Sequence, residues 1–138
     1  WSSDVCSSDL KTAVRLRPSN PYPVIWLHIA RVHKGESDRE EFAANAMAVK
    51  RGAWPGAMLD MYLGLLDADK VKAAAQQGPS REKSKRQCEA NFFLGELALH
   101  NGQIEQARDA LREVTSTCGP AETVYSAAVA EAKLLPRQ

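Results

Sequence analysis

The sequence predicts an all-α fold, and three observations carry that prediction. No segment alternates apolar and polar residues over the length of a strand. Apolar residues recur instead at helical spacing, in segments of about 10–15 residues. Each segment is stopped by Gly or Pro: Pro18, Gly35, Gly52, Gly78-Pro79, Asn101-Gly102 and Gly119-Pro120. Helices of this length joined by short turns are antiparallel neighbours, so the expected architecture is a run of helical hairpins.

Residues 11–17 read as the tail of a helix that Pro18 ends. Ser19-Asn20-Pro21 then reads as a cap with Pro near the first helical position. Val24, Ile25, Leu27, His28, Ile29 and Val32 form an apolar face on the next helix, which Gly35 closes. Ser37 or Asp38 caps a helix from Arg39 to about Lys50, with Phe42, Ala43, Ala46, Met47 and Val49 facing inward. Trp54-Pro55-Gly56 starts a short helix to about Leu65, apolar through Met58, Leu59, Tyr62 and Leu63. Asp67 caps another over 68–76. The strongest helix is predicted over 83–100, followed by helices over 103–117 and 121–135.

The composition is that of a water-soluble chain, with 44% hydrophobic and 25% charged residues. A net charge of +1 gives no reason to expect nucleic acid as a partner. No apolar run reaches the ~18 residues of a membrane span.

The first ten residues, WSSDVCSSDL, carry no periodicity and no signal-peptide pattern. Back-translated in frame, they match a common short-read sequencing adapter. Residues 1–10 are therefore expected to be an artefactual, non-native segment, with residues 11–138 as one N-terminally truncated domain. On that reading the first hairpin is broken and deleting residues 1–10 costs no stability. Setting aside Asp4 and Asp9 raises the net charge from +1 to +3, and setting aside Cys6 leaves the pair Cys88 and Cys118.

Residues 88–120 carry the clearest repeat unit. Leu94-Gly95, Gly102, Ala107, Leu111 and Pro120 resemble the tetratricopeptide repeat (TPR) pattern. Gly95 and Ala107 suit two helices crossing at close range, Gly102 the turn, and Pro120 the stop. Ala13, Pro18, Leu27 and Gly35 resemble a second unit, and Pro18 and Gly52 lie 34 residues apart, the length of this repeat. Leu63-Gly64 marks a third, degenerate unit. Asn91 and Ala98 depart from the pattern, standing where large aromatics are usual, and His28 replaces a small residue. The resemblance covers roughly residues 11–120. It implies a short right-handed solenoid of antiparallel hairpins, with the last helix as a C-terminal cap presenting Tyr125, Val129, Leu134 and Leu135. Trp54-Pro55, Tyr62-Leu63-Gly64 and CEANFFLGE are also similar to bacterial envelope TPR lipoproteins that act as adaptors.

Sites for chemistry are scarce. His28 and His33 are five residues apart and fall on different helix faces, so they make a poor metal pair. Glu96 and His100 share a face at i, i+4, which is ordinary surface pairing. No phosphate loop, nucleophile pairing or CxxC motif is present. Arg81–Arg86 holds four bases and one acid and reads as a solvated helix entrance. No catalytic residue, cofactor or metal site is therefore expected. Cys88 and Cys118 flank the turn at Gly102 almost symmetrically, which places them at the same open end of a hairpin. They are either a disulfide, implying an oxidising compartment such as the periplasm, or two small buried apolar residues.

The resemblance implies a scaffold or adaptor that binds a peptide or protein segment on a concave face lined by the first helix of each hairpin. The residues that geometry nominates are Tyr22, Ile25, Ile29 and Val32, then Met58 and Met61, then Glu89, Phe92, Glu96 and Leu99. The alternative is that the chain is the C-terminal repeat region of a larger protein whose upstream part carries an enzyme or a membrane anchor. Self-association through the repeats is a third expectation.

Overall fold

The computed structural model of the chain describes residues 3–136, with side chains from Ser7 onward. Eight helices account for its regular structure and no strand occurs among the described residues. The chain divides after Leu66 into two compact units.

The first unit holds α1 (Ser3–Leu16), α2 (Pro21–His33), α3 (Arg39–Met47) and α4 (Gly56–Tyr62). α1 packs along α2, and α2 also contacts α3 and α4. α2 begins as expected: Asn20 accepts a hydrogen bond from the Tyr22 amide at 3.1 Å, with Pro21 opening the helix. Its buried face is Val24, Ile25, Leu27, Ile29 and Ala30, with His28 and Val32 half-buried. In α3 the inward side chains are Phe42 and Ala46. Met47 is 84% exposed and Ala43 lies beside it at i−4, so the inward stripe is narrower than expected. Val49 is buried because the helix has already ended and the chain has turned inward.

The sequence carries no periodicity over its first ten residues, yet α1 begins among them. It runs unbroken from Ser3 to Leu16, and Ser7, Leu10 and Val14 form one stripe at helical spacing. Ser7 and Val14 are buried and Leu10 is half-buried. The face that meets α2 thus continues across the junction at Lys11. Trp1, Ser2 and the side chain of Cys6 lie outside the described residues.

The second unit holds α5 (Ala68–Ala75), α6 (Ser80–His100), α7 (Ile104–Thr117) and α8 (Thr123–Leu134). α6 packs against α5, α7 and α8, and α8 also contacts α7. Asp67 caps α5 by accepting from the Lys70 amide at 2.9 Å. Phe92 and Phe93 are fully buried, with ring centroids 5.1 Å apart and edge to face. Ala107, Leu111 and Val114 are the buried residues of α7, which packs against α6. A Cβ added at Gly95 would lie 3.3 Å from the Ala110 Cβ and 3.4 Å from two Leu111 carbons, so α6 and α7 do approach at that glycine. The buried stripe of α8 is Val124, Ala128 and Glu131, while Leu134 is 77% exposed. The inward stripe of α8 therefore lies one residue away from the expected Tyr125 and Val129.

α2, α4 and α6 end alike. Gly35, Gly64 and Gly102 have φ of 72°, 80° and 76°, and each amide bonds the carbonyl three residues back. The next amide, of Glu36, Leu65 or Gln103, reaches the carbonyl five residues back at 2.8–2.9 Å. This doubly bonded helix end requires a left-handed residue, which explains glycine at all three places.

Candidate functional site

The residues nominated for a concave binding face are mostly interior. Ile25, Ile29, Met58, Met61, Glu89, Phe92 and Glu96 are buried, and Tyr22, Val32 and Leu99 are half-buried. Ile25, Met58 and Phe92 have no exposed surface at all. These side chains pack within the chain, and Glu89 and Glu96 are engaged there as well. A partner has little of this set to touch.

The open face of α6 lies elsewhere. Gln87, Asn91, Leu94, Ala98 and Asn101 alternate four and three residues apart, so they form one stripe along the helix. That stripe floors a groove of about 720 Å³ within the second unit. α5 supplies one wall through Ala68, Lys72, Ala75 and Gln76, and α7 the other through Gln106, Asp109, Ala110 and Glu113. The volume lies in the range of about 300–1,000 Å³ found for ligand sites. Fourteen residues separate Gln87 from Asn101, so the floor is about 21 Å long. Asn91 and Ala98, two of the three positions that depart from the pattern the sequence resembles, both line it. Their small side chains leave the space that a pair of large aromatics would fill.

The groove is rich in side-chain amides. Among the described residues, the carboxamides of Gln76, Gln87, Asn91, Asn101, Gln103 and Gln106 make no hydrogen bond within the chain. Lys72, Asp109 and Glu113 are likewise without an ion pair there. Each carboxamide offers two donors and an acceptor. Half-buried Leu94 and Leu97 lie between them and supply apolar contact.

The Sγ atoms of Cys88 and Cys118 are 2.06 Å apart and their Cα atoms 5.7 Å apart, joined as a disulfide. Cys88 adjoins Gln87 and Cys118 follows Glu113 by five residues, so the bond ties α6 to α7 near one mouth of the groove. In the basic run before it, Arg86 is the residue with a structural role. Its guanidinium donates to the Gln77 carbonyl at 2.7 Å and pairs with Glu82 at 3.2 Å, covering Gly78.

Sequence reasoning missed the arrangement around His28 in the first unit. Its Nδ1 lies 2.8 Å from the Asp38 carboxylate, and its ring stacks on Phe42 at 4.2 Å and meets Tyr62 edge-on at 5.2 Å. Asp38 occupies the cap position of α3 but its side chain makes no cap bond, because His28 has recruited it. One turn on, Arg31 donates to both Glu41 oxygens at 3.1 and 3.3 Å and to Glu36 at 3.3 Å. The Glu41 hydrogen bond holds the Arg31 pKa above its ordinary value, so that charge is permanent. The group is a brace between α2 and α3.

No protein-family model and no curated protein matches the chain.

Proposed function

We propose that this chain is a helical-hairpin repeat scaffold of the tetratricopeptide type that works by holding a segment of a partner protein. The observation that carries the proposal is the amide-lined groove over α6. Its uncommitted carboxamides match the alternating N–H and C=O groups of an extended backbone, which otherwise must be satisfied by water. A groove of carboxamides and leucines suits contact rather than turnover, so the chain acts as an adaptor and not as an enzyme. Three first helices closed by the same glycine device, at Gly35, Gly64 and Gly102, support the repeat reading. The Cys88–Cys118 disulfide supports an oxidising setting such as a bacterial envelope.

The test fills the groove without touching its walls. Asn91→Trp places a large aromatic where the repeat pattern has one, and Asn91→Ala removes the amide while leaving the space open. A random library of ten-residue peptides is screened against wild type and both variants. A set of peptides bound by wild type and lost with Asn91→Trp, while far-UV circular dichroism is unchanged, supports the reading. Absence of any such set overturns it.

A further inference from the structure

The groove is electrically asymmetric. On the α7 wall Asp109 and Glu113 stand four residues apart, one turn of helix, and both are exposed and unpaired among the described residues. The α5 wall offers a single charge, Lys72. Between them the floor carries amides and no fixed charge. Four residues of α-helix rise about 6 Å. Alternate residues of an extended chain are about 6.6 Å apart and point to the same side. Two side chains at positions i and i+2 of an extended segment therefore reach both carboxylates at once. The amides below meet its backbone, and the floor length of about 21 Å accommodates about six extended residues.

We infer that the occupant of this groove is an extended peptide segment carrying Lys or Arg at alternate positions, with those cations against Asp109 and Glu113. This rests on the groove being the binding site proposed above. The chain as a whole has a net charge of +1, so its overall field does not draw in a basic peptide. Any preference for cations must come from this wall. Lys72 opposes it from the other side and disfavours a second basic row, which selects one charged edge rather than a uniformly basic segment.

The experiment uses fluorescein-labelled ten-residue peptides of alternating Lys and Thr, alternating Glu and Thr, and alternating Gln and Thr, with binding read by anisotropy. The Lys peptide is expected to bind wild type most tightly and to weaken as salt is raised. Asp109→Asn combined with Glu113→Gln is expected to weaken it about 2- to 30-fold, the range for two exposed ion pairs. Asp109→Lys with Glu113→Lys is expected to reverse the preference toward the Glu peptide. Equal or tighter binding of the Glu or Gln peptide to wild type, or no reversal in the double Lys variant, overturns the inference. If the Gln peptide or library peptides bind without a charge preference and Asn91→Trp abolishes that binding, the groove stands and only its charge selectivity fails. If no peptide binding responds to Asn91→Trp, both fail.

Discussion

Replacing Cys88 and Cys118 together by alanine opens a covalent loop of 30 residues that holds α6 to α7. On the chain-entropy view, closing a loop of that length stabilises the folded state by about 3–4 kcal/mol, because the unfolded ensemble loses freedom. Both cysteines are also buried, at 4% and 8% exposure, so each substitution removes some packing besides. For a unit of this size 1 kcal/mol corresponds to about 4–8 °C, which puts the loss at about 12–30 °C. The assay is thermal unfolding followed by far-UV circular dichroism, on oxidised wild type, wild type in reductant, and the double variant. Reduced wild type and the double variant are expected to melt close together and well below the oxidised protein. Thiol titration in denaturant provides the chemical check. With Cys88 and Cys118 paired, one thiol per chain reacts, that of Cys6, and three react after reduction. Three thiols in material never exposed to reductant, or coincident melts with and without it, would refute the reasoning.

Two further changes probe the first unit. Asp38→Ala leaves the half-buried His28 Nδ1 without its acceptor and is expected to cost about 1–3 kcal/mol in urea unfolding, with Asp38→Asn costing less because its amide oxygen still accepts. Equal stability of wild type and Asp38→Ala would contradict the brace. Deleting residues 1–10 leaves only Lys11–Leu16 of α1, below the ~12–15 residues at which an isolated helix is even marginal. The helical signal of α1 is expected to vanish with the deletion, and unchanged ellipticity would show that residues 1–10 add no structure to the chain.

The helices were legible because their ends are written in residues with few conformational options. Pro21, Gly35, Asp67 and Gly102 each do in the structure what their backbone or side-chain chemistry suggests, whereas Gly64, read as the counterpart of the mid-helix Gly95, ends α4 instead. Faces were harder to read than ends. The second half of α6, from Ala90 to Leu99, is apolar or small almost all round, so two stripes compete for the interior. The bulk of Phe92 and Phe93 decides it, burying the nominated Glu89–Phe92–Glu96 row and leaving Asn91 and Leu94 half-exposed on the other. Asp38 was legible as a cap by position but not by bonding, since its partner His28 lies ten residues away in sequence. In α8 apolarity pointed to Tyr125 and Val129, whereas the inward stripe includes a carboxylate, Glu131, that no hydropathy pattern selects.

The central claim is that the space over Asn91 and Ala98 is a seat for a partner polypeptide rather than a packing defect. Titrating a library-selected peptide into wild type, Asn91→Ala and Asn91→Trp by isothermal calorimetry tests it most directly. A seat predicts saturable binding to wild type, weaker binding to Asn91→Ala and none to Asn91→Trp, with the Asn91→Trp protein melting no lower than wild type. Unaltered affinity in a folded Asn91→Trp protein would contradict it.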